Sequence, residues 1–119
     1  MQDFRKLRVW HRAQEMCVQI YTFTADFPVE ERYGITSQIR KAAVSVGSNI
    51  AEGSRRATNP DKARVINIAE GEGSEVVSLL DISGRLGFGR RGQGAELIRL
   101  YDSLGGQMES FRQRLLEGK

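Results

Sequence analysis

The sequence predicts an all-α fold, an antiparallel up-down-up-down four-helix bundle formed by a single domain spanning residues 1–119. Three observations lead there. Apolar residues recur at steps of three and four along four separate segments. No stretch alternates apolar and polar residues with the period of two that a half-buried strand requires. The connections between segments span roughly two to ten residues, which favours antiparallel neighbours. Helices of roughly 20–25 residues would make rods of about 30–37 Å at 1.5 Å per residue.

The first segment runs from about 7 to 25. Val9, Ala13, Met16, Ile20 and Phe23 mark its apolar face, with Trp10, Cys17 and Phe27 widening it. Phe27-Pro28 ends it, because the residue before a proline is pushed out of the α region. VEERYG then reads as a short linker with at most one helical turn. The second segment, about 36–55, carries Ile35, Ile39, Ala42, Ala43, Val46 and Ile50. The third, about 60–86, has the clearest start. In TNPD, Asn59 can cap, Pro60 suits the first helical position, and Asp61 suits the positive end of the helix dipole. Ala63, Ile66, Ala69, Gly73, Val76, Leu80 and Ser83 continue it until the glycine-rich RLGFGRRGQG breaks it. The fourth, about 95–116, repeats Leu97, Tyr101, Leu104, Met108, Phe111 and Leu115 as a heptad seam.

Gly47, Gly53, Gly71, Gly73, Gly84, Gly105 and Gly106 fall within or at the edge of these patterns. Each costs roughly 1 kcal/mol against alanine inside a helix, so something should offset it. Close helix–helix approach is the expected reason; kinks or frayed ends are the alternative.

Hydrophobic residues make up 39% and charged residues 28%, a globular composition. No apolar run approaches the roughly 20 residues of a membrane helix, and the N-terminus lacks the apolar region of a secretory signal. A cytoplasmic location, with no membrane partner, is the expectation. Cys17 has no second cysteine to pair with, and with His11 as the lone histidine no zinc set is expected; Cys17 reads as a core thiol.

Catalytic constellations are wanting. A Ser or Cys nucleophile would need a base, and His11 stands beside Trp10 near the chain start. Gly87, Gly89 and Gly92 match G-x-G-x-x-G, but that fingerprint needs a preceding strand within a βαβ unit. An interhelical loop is the expected reading, although Arg90 and Arg91 at its tip could touch an anion. Glu70, Glu72, Glu75 and Asp81 make the third segment acidic, with no cation between Val65 and Gly84. Di-iron bundles use Glu-x-x-His pairs, and none exists here. A solvated face, or one pairing with arginines of a neighbouring subunit, is expected. The chain is therefore read as non-enzymatic, with no cofactor and no metal.

The net charge is +3. Lys6, Lys41, Lys62 and Lys119 are lysines and the other cations are arginines, whose planar fork suits phosphate; a genomic base bias would produce the same excess. The cations cluster near the N-terminus (Arg5, Lys6, Arg8, Arg12), early in the second segment, and around both later turns. The candidate nucleic-acid-binding residues are Arg40, Lys41, Arg55, Arg56, Lys62 and Arg64. Successive turns of an up-down bundle lie at opposite ends, so these clusters do not make one patch on a monomer, whereas oligomerisation would repeat each as a ring. No aromatic interleaves with the arginine pairs as a base-stacking platform requires. Binding to RNA or DNA would be directed at the backbone and weak in sequence preference. Ordinary solubilising charge is the competing reading.

FRKLRVWHRA, FPVEERYGITSQIRKAAVSVGSNIAEGSRR and INIAEGEGSEV resemble the small bacterial four-helix-bundle proteins first described from intervening sequences in 23S rRNA genes. QIR-x-AAVS-x-x-SNIAEG carries most of that resemblance. The accessory variability proteins of diversity-generating retroelements look like distant structural relatives. The resemblance implies an antiparallel bundle assembling as a ring-like homopentamer. Through the retroelement relatives it implies a nucleic-acid-binding surface and a protein partner, a reverse transcriptase. The family it points to has no established catalytic activity. Relatives often carry proline where this chain has Gly47. Ser48, Asn49 and Glu52 form a polar motif in an otherwise small and apolar helix. Glu52 can reach Arg55 or Arg56 on its own helix, and Asn49 and Glu52 are expected to bond across helices and set register. Two functions follow: a nucleic-acid-binding oligomeric scaffold, or a protein–protein interaction module with no nucleic-acid role.

Overall fold

The computed structural model describes residues 3–118. Its elements are a 3-10 turn at Phe4–Lys6, α1 (Arg8–Thr24), a 3-10 turn at Val29–Glu31, α2 (Ile35–Ser54), α3 (Asn59–Arg85) and α4 (Gln93–Leu116). The described residues contain no strand. The bounds lie within about two residues of those read from periodicity, the usual scatter at frayed ends.

Local chemistry explains the starts and stops. Asp3 caps the first turn by accepting from the Arg5 backbone N–H at 3.0 Å, and His11 Nε2 of α1 donates to the Arg5 carbonyl at 2.6 Å, which ties the turn to α1. The cap of α3 is Thr58, not Asn59. Thr58 is extended (φ −117°, ψ 152°), which lets its hydroxyl accept from Asp61 N–H at 3.3 Å, while Asn59 is already helical. At the far end of α3, Phe88 N–H bonds the Ser83 carbonyl (2.9 Å) and Gly87 N–H the Gly84 carbonyl (3.1 Å). That pair of bonds is a Schellman closure, with Gly87 left-handed at φ +78°.

Each helix packs against two others, α1 and α3 both lying on α2 and on α4. All six residues of the α4 seam are buried, as are Ala13, Met16, Ile20 and Phe23 of α1 and Ile39, Ala42, Ala43, Val46 and Ile50 of α2. One apolar cluster joins them, with Val9, Trp10 and Cys17 half-buried at its margin. Burial pushes the Cys17 thiol pKa upward.

The helical glycines divide into two sets. A Cβ on Gly53 would lie 3.1 Å from Ile66 Cδ1 and 3.3 Å from Val65 Cβ, so here α2 does meet α3 closely. Gly47 abuts Gln14 and Ala13 of α1, and Gly73 faces Met108 of α4. A Cβ on Gly71, Gly84, Gly105 or Gly106 would meet no atom beyond its own helix backbone within 4 Å among the described residues. For these four, close approach within the chain is not the reason.

The G-x-G-x-x-G loop has a conformational reason of its own. Gly87, Gly89 and Gly92 all have positive φ, +78°, +82° and +86°, a region L-residues enter at a cost. A Cβ on Gly89 would also lie 2.5 Å from Phe23 Cζ. The Phe23–Phe27–Phe88 ring series, with centroids 5.3 and 5.6 Å apart, holds this loop to the end of α1.

Candidate nucleic-acid interface

Arg40 and Arg55 are 15 residues apart on and just beyond α2, about 22 Å along a helix. The six candidate cations therefore fall in two places. Arg40 is engaged with α1. Its Nε donates to Thr24 Oγ1 (2.8 Å), its Nη2 to the Tyr21 carbonyl (3.2 Å), and its guanidinium lies 4.5 Å from the Tyr21 ring centre. The last turn of α1 holds no cation of its own, and carbonyls there lack helical partners and carry the negative end of the dipole. Arg40 supplies that charge from α2. Lys41, the next residue, is exposed and has no ion pair among the described residues.

The second group surrounds the α2–α3 turn. Arg56 pairs with Glu52 one turn back, and its Nη1 lies 3.7 Å from Asp61 Oδ2. Asp61 also accepts from Arg64 Nε at 2.9 Å. Two carboxylates thus offset two of the four cations. Arg55 is exposed and Lys62 half-buried, and neither has an ion pair among the described residues. Arg55 and Lys62 are the members with charge to spare.

The polar motif corrects an expectation. Asn49 Nδ2 donates to the Ser45 carbonyl of its own helix at 2.9 Å, Glu52 pairs with Arg56, and Ser48 is exposed. None of these bonds crosses to another helix. A short amide reaches the carbonyl four residues back before it reaches a neighbour, and Glu52 lies on a solvent-facing row. Links between helices are made by arginines instead. Arg12 of α1 bonds Gln107 and Ser103 of α4, Arg40 bonds α1, and Arg112 of α4 grips Glu70 of α3. The Arg112 fork contacts both Glu70 oxygens, at 2.6 and 3.3 Å, which raises the Arg112 pKa further. Glu70 is thereby paired inside the chain, so the acidic row of α3 is not wholly a solvated or subunit-facing surface.

Other cations complete the surface. The Phe4–Lys6 turn packs on α2 as well as α1, and leaves Lys6 and Arg8 exposed. Arg8 and Arg114 line one cleft of about 400 Å³, with Leu7, Val9 and Phe111 among its apolar walls. Nothing in the sequence singles out Arg114 as a binding residue. It stands three residues after the seam residue Phe111, a flanking position that the heptad pattern marks but whose facing residues only the packing reveals. Among the described residues no group of three or more His, Cys, Asp or Glu is placed to hold a metal ion, and no helix is long and apolar enough to cross a membrane.

A family model for the 23S rRNA-intervening sequence protein matches residues 5–110. No curated protein matches the chain. A crystal structure of a protein of unknown function from the S23 ribosomal protein family of Bacteroides thetaiotaomicron is similar in fold. Its TM-score is 0.78 at 22% sequence identity, covering 87% of this chain and 97% of that one.

Proposed function

The chain belongs to the family of 23S rRNA-intervening sequence proteins, and from that premise we propose that it is a non-enzymatic scaffold that binds RNA or DNA through phosphates. The observation that carries this reading is a group of cations at the start of α1, around the α2–α3 turn and at the end of α4 that have no carboxylate partner among the described residues: Lys6, Arg8, Arg55, Lys62 and Arg114. An antiparallel up-down-up-down arrangement brings them to one end. Paired contacts support that arrangement. Gly47 meets Gln14 while Arg40, earlier on α2, meets Tyr21, later on α1. Gly73 meets Met108 while Glu70, earlier on α3, meets Arg112, later on α4. Arg12 meets Gln107 while Phe23 meets Gly94. The ring-like homopentamer that the family resemblance implies would repeat this end around an axis and multiply a modest monomer charge.

A second reading, a protein–protein module with a partner such as a reverse transcriptase, is favoured by the neutralisation of Arg56 and Arg64 by Glu52 and Asp61. Salt titration of binding to a structured RNA and to duplex DNA separates the two, with assembled mass followed by light scattering. If all five cations touch phosphates, the log–log slope on duplex approaches about −4.5 per protomer. Arg55→Gln and Lys62→Gln should each make it about 1 shallower. No binding at low salt by an intact assembly would discard the nucleic-acid reading and favour the protein partner.

A further inference from the structure

A second concave site lies away from these cations. The 27 residues of α3, about 40 Å of helix, separate the α2–α3 turn from the loop that follows Arg85. There the ends of α3 and α4 and the glycine loop enclose a cavity of about 620 Å³, within the range of small-molecule sites. We propose that this cavity binds a small amphiphilic anion, an apolar body with one terminal carboxylate or phosphate.

The lining has two halves. Leu80, Phe88 and Ile98 supply apolar surface, with Phe88 and Ile98 half-exposed into it. The Schellman closure holds Phe88 in place, so this wall is preformed. The rim carries Arg85, Arg90 and Arg91. Asp81, the carboxylate of the lining, is already bonded to Arg85 Nε at 2.7 Å. Arg90 and Arg91 have no ion pair among the described residues, and a planar guanidinium fork suits carboxylate and phosphate alike.

The start of α4 lies in the same cavity and adds donors. Its cap is Gly92, which has no side chain to turn back on the helix. Gln93 N–H bonds the Arg90 carbonyl and Glu96 N–H bonds Gly92, whereas Gly94 and Ala95, two residues of the lining, have N–H groups with no backbone acceptor among the described residues. Two unpaired guanidinium groups and two open amides thus stand beside an apolar wall. A bare anion would leave that wall wet, and a neutral apolar molecule would cover the donors without replacing their water. A molecule with both parts satisfies both halves.

The test is an amide NMR titration of the full-length, 15N-labelled protein, read at Gly87, Gly89, Gly92, Gly94 and Ala95. The probes are octanoate, octyl phosphate, 1-octanol, acetate and inorganic phosphate, with the amphiphiles kept below micelle-forming concentrations. Saturable shifts at these amides with octanoate or octyl phosphate are expected, and the tighter of the two identifies the headgroup. Octanol, acetate and inorganic phosphate should bind at least tenfold more weakly. Arg90→Gln/Arg91→Gln, at exposed positions with no role in the core, should weaken the amphiphile at least tenfold while the remaining spectrum stays unchanged. Octanol equal to octanoate, inorganic phosphate equal to octyl phosphate, an unaffected double variant, or no shift at these amides would each overturn the proposal.

Discussion

Removing the Glu70–Arg112 pair probes the packing of α3 on α4 most directly. The side chains are 17% and 24% exposed, and the contact is bidentate. Fully exposed pairs contribute about 0.2–1 kcal/mol, whereas losing one partner of a buried pair costs about 3–5 kcal/mol. A half-buried pair with two charged hydrogen bonds belongs between them, at about 2 kcal/mol for Arg112→Ala. For a chain of this size that lowers the melting midpoint by about 8 °C. A double-mutant cycle of Glu70→Gln and Arg112→Ala, followed by urea denaturation at fixed protein concentration, isolates the pairwise part. Its coupling energy should exceed about 1 kcal/mol and survive high salt in good part, because burial limits screening. The exposed Glu96–Arg99 pair of α4, with side chains 54% and 68% exposed, serves as the control and should couple by no more than about 0.5 kcal/mol. Single variants that each lose less than about 0.5 kcal/mol and add without coupling would refute the claim that this pair, rather than apolar burial alone, ties α3 to α4.

The remaining predictions concern the loop, the α1 terminus and the core. Gly87→Ala should cost about 1–2 kcal/mol for its left-handed backbone, and Gly89→Ala at least about 1 kcal/mol more, because its methyl group would overlap the Phe23 ring; equal losses in chemical denaturation would contradict this packing. Arg40→Gln should destabilise by about 1–2 kcal/mol through its lost bonds to α1, yet leave the salt slope of nucleic-acid binding unchanged; a shallower slope would return Arg40 to the binding surface. The Tyr101 hydroxyl is buried without a hydrogen-bond partner among the described residues, and burial, reinforced by nearby Cys17, raises its pKa. Tyr101→Phe should therefore leave stability unchanged or raise it by up to about 1 kcal/mol, and a lower melting midpoint would show that the hydroxyl is satisfied.

Hydrophobic periodicity was enough to place all four helices, because a helix buries the same face every three to four residues whatever it packs against. The heptad from Leu97 to Leu115 is buried at every position, and the glycine cluster after Arg85 breaks the chain where its composition says it should. The same logic does not reach polar side chains. Arg40 and Lys41 are adjacent cations in the sequence, yet one holds the end of α1 and the other faces solvent, a difference set by about 100° of rotation around the helix. Asn49 and Glu52 sit at a spacing compatible with contacts across helices or along one helix, and their bonds run along α2. Glu70 stands within an acidic stretch whose spacing names no partner for it, and the residue it pairs with is 42 residues away. Short-range order is written in residue type and spacing. Which charges remain free to meet a partner is decided by what the neighbouring helix places opposite them, because a guanidinium bonded to a carboxylate or a helix terminus no longer offers the same field to solvent.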